Sequence, residues 1–398
     1  MSCAKKFGPG AVLINKETTF NNSVALGIVL PAQSVSVGAL NREMIDNTEL
    51  RQNRGKSEQF LGAQSEIAWE IQVVANWGGT DDTTAEGLLF WAAGRNSDGT
   101  LAGNSICGRS LQITRFDRDG LLCEVMNGCI VQSVAYSFNA NDLCTITFSG
   151  VAASKWELNG VSGLNIAWPS ASGNITVSAP SGSIFWSSYQ MMGTNLPTAK
   201  PTGIIAKMYD ADGALIGSGS VTNFALGQYN IPQIVVAVDG DETTPQIKQI
   251  LFDFDHENVA YDELSVVAPS DWTATVGLGY STVNLAAQTC EITLETGLSF
   301  GELTVSQPLP SEIISANNNV SGSFTIYLDD SMVRLTGEKK VEFSIKSRTP
   351  SASKILINAQ ITTAPAYELA PDSAASGDFE FMGYSPVGAN SVLVWYNT

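Results

Sequence analysis

Charge is scarce in this chain. Only 15% of its residues are charged, against roughly 25% in an ordinary soluble domain. Either neighbouring subunits cover much of the surface, or the chain is a large all-β protein with a Ser/Thr/Gly/Asn-rich exterior; composition favours neither. Bases are scarcer than acids, 21 against 39, for a net charge of −18. The longest basic runs are the pairs Lys5-Lys6 and Lys339-Lys340, which argues against a phosphate-gripping nucleic-acid binder. An acidic wall would instead repel phosphate and ease its passage. His256 is the only histidine, so any Ser-His-Asp or Cys-His site would have to use it. The cysteines Cys3, Cys107, Cys123, Cys129, Cys144 and Cys290 form no CxxC pair, which argues against structural zinc. Free, buried thiols are expected, with a disulfide among Cys123, Cys129 and Cys144 as the alternative. No apolar run approaches the ~20 residues of a membrane helix. Met1 to Asn15 lacks an apolar h-region, so no secretory signal is expected. Phosphate loops, dinucleotide fingerprints and Gly-x-Ser-x-Gly elbows are absent from the sequence.

What is present is strand signal. Glu66 to Val73 alternates polar and apolar with period 2, as a half-buried strand does. Val24–Val29, Ser34–Val37, Leu111–Phe116, Leu121–Met126, Ile130–Phe138 and Cys144–Phe148 read as further strands. The turn Asp117-Arg118-Asp119-Gly120 predicts a hairpin, and Asn127-Gly128 a second turn. One helix is expected after a cap at Thr83 or Thr84, with Leu88, Leu89 and Trp91 on its packing face and Gly94 ending it. Asn41 to Gly62 is polar, charged and too long for a tight turn; it reads as a functional loop.

Three regions follow: 1–155, 156–280 and 281–398. They hold 12 bases and 15 acids, 3 and 12, and 6 and 12 respectively, so the middle carries half of the net charge. The middle is again strand and turn, with a hairpin around Asp210-Ala211-Asp212-Gly213. The last region repeats the order strand, long polar excursion, alternating strand: Cys290–Leu294, then Gln307–Asn319, then Val320–Leu328. That repetition of pattern suggests a duplicated β-module.

Several clusters carry residues that chemistry could use. Asp253-Phe254-Asp255-His256-Glu257 is expected to be a charged strand end rather than a metal or acid/base site. Asp239-Gly240-Asp241-Glu242 lacks the spacing of an EF-hand loop and reads as an acidic turn. The tryptophans stand in apolar contexts, as core or interface residues do. Paired carboxylates for glycoside cleavage remain open, because any acidic chain offers candidates. No catalytic residue, metal or cofactor is expected.

The run GKSEQFLGAQSEIAWEIQVVANWGGTDDTTAEGLLFWAAG, residues 55–94, resembles the tail tube proteins of long-tailed bacteriophages: charged loop, alternating strand, short helix. EVMNGCIVQSVAYSFNANDLCTITFSG, residues 124–150, is similar to that family's second strand pair. VSGSFTIYLDD, residues 320–330, is similar to the matching strand in a second copy. The resemblance covers roughly residues 20–150 best, 281–398 less well, and little of the middle.

The resemblance implies an all-β, mainly antiparallel fold of sandwich or half-barrel modules with one short flanking helix each. Copies would join their inner sheets into a continuous β-barrel around a lumen. Asn41 to Gly62, with Arg42, Glu43, Asp46, Glu49, Arg51, Arg54, Lys56 and Glu58, would reach into the adjacent ring. Glu312, Asn317, Asn318 and Asn319 would do so in the second module. Three chains would supply six modules in a pseudo-sixfold ring, and rings would stack helically. The implied partners are copies of the chain, tape measure, terminator and baseplate proteins, and DNA that passes without specific binding; no membrane is involved. The implied place is the virion tail, after synthesis in the host cytoplasm. The middle region would complete the modules or decorate the outside. Rival readings are a terminator or baseplate ring, an Ig-like surface adhesin, and a carbohydrate-active β-enzyme.

Overall fold

The computed structural model describes residues 9–22, 24–38, 42–46, 59–64, 66–75, 83–96, 99–100, 106–178, 186–188, 202–225, 230–231, 233–240, 246–261, 271–277, 281–301, 312–327, 340–347, 354–368, 376–384 and 393–396. Antiparallel strands dominate these residues, as the alternation predicts.

The first region contains β1 (Pro9–Lys16), β2 (Ile28–Leu30), β3 (Ala32–Val37), β4 (Arg42–Asp46), β5 (Gln59–Gln64) and β6 (Ile67–Val74), then helix α1 (Ala85–Ala92). β7 (Leu111–Asp117), β8 (Leu122–Asn139), β9 (Thr145–Ala152) and β10 (Ser154–Asn159) complete it. Two sheets result. One runs β2-β1-β7-β8-β10, the other β3-β6-β9-β8. β8 belongs to both: its first half pairs with β7 and β10, its second half with β9. A strand that changes sheets needs a bend, and a bulge supplies it. The bulge lies at Asn127-Gly128, where the register with β7 slips and Gly128 has φ 63°. A β-carbon at Gly128 would lie 2.7 Å from the Ala153 side chain.

Here the structure corrects the sequence reading. Asn127-Gly128 is not a chain-reversing turn; β8 continues through it as one strand, bent at the bulge. The Asp117–Gly120 hairpin is as read: Gly120 N–H donates to Asp117 O and Leu122 N–H to the Asp117 carboxylate.

The middle region holds β11 (Val161–Ala167), β12 (Gly173–Ser178), β13 (Trp186–Ser188), β14 (Ile204–Tyr209), β15 (Leu215–Ala225), β16 (Asn230–Ile231), β17 (Gln233–Val238) and β18 (Gln246–Phe254). Six of these form a sheet in the order β11-β18-β14-β15-β17-β12, while β13 and β16 extend the edge at β10. The apolar positions of the six-stranded sheet, among them Met208, Ile234 and Ile250, share one core with Leu13, Phe116, Val125 and Leu158 of the first region. The middle sheet is therefore packed face to face on the first.

The last region contains β19 (Trp272–Gly277), β20 (Thr282–Leu285), β21 (Ala287–Glu295), β22 (Leu298–Phe300), β23 (Ile313–Ser315), β24 (Asn319–Tyr327), β25 (Lys340–Ser347), β26 (Lys354–Glu368), β27 (Ser376–Gly383) and β28 (Leu393–Tyr396). Its pairings repeat those of β1 to β10 strand for strand. β20-β19-β25-β26-β28 matches β2-β1-β7-β8-β10. β21-β24-β27-β26 matches β3-β6-β9-β8. Two of the irregularities repeat as well, although the bulge of β8 against β7 has no counterpart in β26 against β25, and β26 has a further slip at Thr363/Ala366. The Ala32/Ser34 slip in β3 answers Ala287/Thr289 in β21, and Val131/Ser133 in β8 answers Ile361/Thr363 in β26. The segment matching α1 falls on residues 328–339, outside the described residues, so the expected second flanking helix does too.

The two copies meet where β8 pairs with β21. One curved half-barrel sheet therefore runs β3-β6-β9-β8-β21-β24-β27-β26. A single apolar core spans its covered face, from Trp69, Ile71 and Phe148 through Ile292 to Phe324, Phe343, Phe379 and Phe381. Helix α1 lies on this covered face. The Thr84 hydroxyl caps it by accepting from Gly87 N–H at 3.0 Å, and Leu88 and Leu89 are buried. Phe90 packs edge-on to Phe148 at 5.0 Å. Trp91 is half-buried, and the Arg109 guanidinium donates to its carbonyl and to that of Arg95, closing the helix C-terminus.

Candidate functional site

Period-2 alternation leaves each strand of the half-barrel with one open face. On β6 that face carries Glu70 and Gln72; on β9, Thr147 and Ser149; on β8, Ser133 and Ser137. On β21 it carries Glu291, Thr293 and Glu295; on β24, Ser321 and Ser323; on β27, Asp378 and Glu380. The registers line these residues up across strands. One row reads Thr145, Ser137, Glu291, Ser323, Glu380. Another reads Glu70, Ser149, Ser133, Glu295, Asn319.

The face has a plain charge rule. From β3 to β27, taking β8 from Ile130 onward, the strands contain no lysine or arginine. Their acids, Glu70, Glu291, Glu295, Asp378 and Glu380, are all exposed. Lys340, Lys346 and Lys354 appear only on β25 and the first half of β26. Neighbouring strands lie ~4.8 Å apart, so Glu291 and Glu380, two strands apart, are roughly 10 Å from each other. Their fields overlap within a Debye length of ~8–10 Å. The face thus presents a negative potential over short hydroxyl and amide side chains, without a cation to hold a phosphate.

The residues singled out from sequence fall elsewhere. The Asn41–Gly62 segment is not simply a loop: Arg42, Glu43 and Asp46 stand on β4, which pairs with β5 as a two-stranded ribbon. Glu49, Arg51, Arg54, Lys56 and Glu58 lie outside the described residues. The excursion in the last region is also a ribbon, β22 with β23. Glu312 precedes β23, and its carbonyl accepts from Gly301 N–H. Asn317 and Asn318 link β23 to β24, and Asn319 opens β24 opposite Glu295. The two ribbons sit differently. Leu298 and Ile313 pack against Ile106, Ile130 and Val151, whereas β4 and β5 pair only with each other among the described residues. His256 is exposed at a strand end, with Nδ1 2.7 Å from the Tyr261 hydroxyl and Nε2 3.3 Å from Asp253. Among the described residues no cluster of His, Cys, Asp and Glu could hold a metal ion. No helix there is long and apolar enough to cross a membrane.

Two buried polar groups support the frame. Glu17 accepts from Asn127 Nδ2 (3.2 Å) and Gly128 N–H (2.8 Å) on one oxygen, and from Asn21 N–H (3.0 Å) and Ser110 Oγ (2.6 Å) on the other. It therefore clamps the bulge of β8. Burial pushes its carboxyl up to about 7, against the pull of those four donors. On β8, Glu124 pairs with Arg115 and, at 2.6 Å, with Lys155, which also reaches Glu157 at 2.9 Å.

Sequence reasoning missed the open face as a set. The signal was there, in the polar positions of each alternating strand, but assembling them requires the registers. A scan against family models found no match to this chain, and no curated protein matches it.

Proposed function

We propose that this chain is a non-enzymatic structural subunit whose open sheet face lines the lumen of a tube: the tail tube of a long-tailed phage. The observation that carries this reading is the base-free acidic face of the half-barrel. A conduit for DNA must pass phosphates without holding them, and neutralising phosphates with Lys or Arg is what creates affinity. A face with exposed carboxylates and no cation repels the cargo instead. The resemblance of residues 55–94 and 124–150 to tail tube proteins points the same way, as does the duplicated plan. On this reading trimeric rings with pseudo-sixfold symmetry stack into the tube, the β4–β5 ribbon contacts the next ring, and tape measure, terminator and baseplate proteins meet the ends.

The test is electron microscopy of the purified chain at high concentration, with light scattering alongside. Hollow tubes of stacked rings are expected. A single closed ring that never stacks would favour a terminator or baseplate part, and solid fibres would favour an adhesin.

A further inference from the structure

The Glu17 carboxylate stands where three parts of the first copy meet. Its donors come from Asn21 on the turn after β1, from Ser110 just before β7, and from Asn127-Gly128 at the bulge of β8. Its own N–H donates to the Ser110 carbonyl at 3.1 Å. Among the described residues no cation pairs with it, and no charge on a neighbour sets its proton affinity. Ser110 and Gln112 face it from β7, Asn127 and Gly128 from β8, and Asn21 from its own turn, all uncharged. The one titratable neighbour is the Cys129 thiol of β8, which burial pushes well above its ordinary value and so keeps neutral. Lys16, the adjacent cation in sequence, lays its ammonium over the Trp91 ring, 4.6 Å from the centroid.

All four partners donate, which suits an anion. Protonation places a hydrogen on one oxygen, and that hydrogen needs an acceptor. The two backbone N–H groups cannot accept, and the Asn127 amide is oriented by its second bond, to Gln112 Oε1 at 3.3 Å. The Ser110 hydroxyl, 2.6 Å away, can turn from donor to acceptor by rotating its hydrogen. The site is therefore satisfied in both states: as an anion with four donors, and as an acid with three donors and an O–H bond to Ser110. The two states differ in cost. A buried carboxylate without a cation keeps much of its desolvation penalty, so the acid form is the better fit to the fold.

A lever leads away from this site. Asn21 is held at φ 58°, a left-handed backbone that residues with a side chain adopt sparsely. Its N–H bond to Glu17 and the Ser154 hydroxyl on its Oδ1 keep it there. Phe20, the residue before it, packs on the bulge: a β-carbon at Gly128 would lie 3.0 Å from its ring. That ring meets Phe300 of β22, with centroids 5.8 Å apart, in the apolar cluster that seats the β22–β23 ribbon. We propose that Glu17 is a proton-operated latch: protonated, it locks the turn at residues 17–22 against the β8 bulge and so seats the β22–β23 ribbon; ionised, it frees turn and ribbon together. The latch therefore weakens as pH rises. It does not rest on the tube reading.

Amide hydrogen exchange of the full chain, held dilute at about pH 6 and about pH 8, tests it once each rate is corrected for base-catalysed exchange. Opening exposes the carboxyl to water, where it titrates near 4.5 instead of about 7. Local opening should therefore rise about tenfold between the two conditions. The rise is expected at Asn21 and Gly128, which donate to Glu17, and equally at Gly301 and Ala316, whose N–H groups bond to the Glu312 and Gly297 carbonyls within the ribbon. Glu17→Gln should open equally in both conditions. Phe20→Ala should keep the rise at Gly128 and lose it at Gly301 and Ala316. Parent rates that stay flat at all of these amides overturn the latch, whether or not Glu17→Gln folds. A rise confined to Asn21 and Gly128 in the parent, or a ribbon rise that survives Phe20→Ala, overturns the coupling. A rise unchanged in Glu17→Gln assigns the pH dependence to another group and overturns the proposal too.

Discussion

If the open face works by lacking cations, adding them should create DNA binding of a calculable salt dependence. The triple variant Glu291→Lys, Glu295→Lys and Glu380→Lys places three lysines on that face, where all three native side chains are exposed. Glu291 and Glu295 are four residues apart on one strand, roughly 13 Å, and Glu380 lies two strands away, so one duplex spans all three. Each chain moves from −18 to −12. Exposed substitutions of this kind cost about 0.5 kcal/mol of stability or less. Three neutralised phosphates give a slope of about −2.7 in log K against log salt, a loss of about 40-fold in affinity between ~50 and ~200 mM. Fluorescence anisotropy of a short duplex, titrated with assembled parent and variant, reads this directly. The parent should show no saturable, salt-dependent binding. A parent that binds the duplex with a slope near that of the variant, or a variant that still ignores DNA, would refute the reasoning.

Other outcomes are open to measurement. Glu17 holds its proton more tightly folded, near pH 7, than at its ordinary 4.5, so its contribution to stability is full below about pH 4.5 and is lost as pH rises through 7. Chemical denaturation should show a decline of at most ~3 kcal/mol over that window, flattened in Glu17→Gln. Phe381→Ala opens a void among Phe324, Phe343 and Phe379, whose rings lie 4.9–5.7 Å from their neighbours in the cluster; urea titration of the monomer should show a loss of ~3–5 kcal/mol. Deleting Asn41 to Gly62 removes a ribbon that, among the described residues, pairs only with itself, so circular dichroism should be unchanged while stacking, seen by microscopy, is abolished. In Cys3→Ser, native thiol titration should find Cys107 alone, because Cys123, Cys129, Cys144 and Cys290 are buried; they should react only on unfolding.

Much of the fold was legible because burial writes period 2 into the chain. β6 shows it plainly, with every second residue from Ile67 to Val73 buried. Where neither the partner nor the burial is local, the signal fails. Asn127-Gly128 carries turn chemistry, yet a carboxylate 111 residues away holds Gly128 as a bulge. β4 and β5 read as loop because charged and polar residues dominate their segment, and its few apolar residues, such as Met44-Ile45 and Phe60-Leu61, come in adjacent pairs that give no alternation to see. The duplication was legible only as an order of elements. Position by position the copies differ: Trp69 opposite Gly150 in the first becomes Gly322 opposite Phe381 in the second. In each pair a glycine makes room for the ring, since a β-carbon at Gly150 would sit 2.8 Å from Trp69 and one at Gly322 2.5 Å from Phe381. Only cross-strand registers reveal that exchange.

The β8–β21 joint also sets a clock. Asn139 is opposite Thr289, so 150 residues of chain emerge between the two strands. At ~5–20 residues per second of synthesis, the newly folded first copy presents a bare strand edge for roughly 8–30 s before its own partner exists. Other nascent chains on the same message expose the same edge, and a chain released before its own β21 has paired offers a competing strand. The middle sheet, built on the first copy through a shared core, keeps the growing chain beside that edge during the wait and so favours pairing in cis.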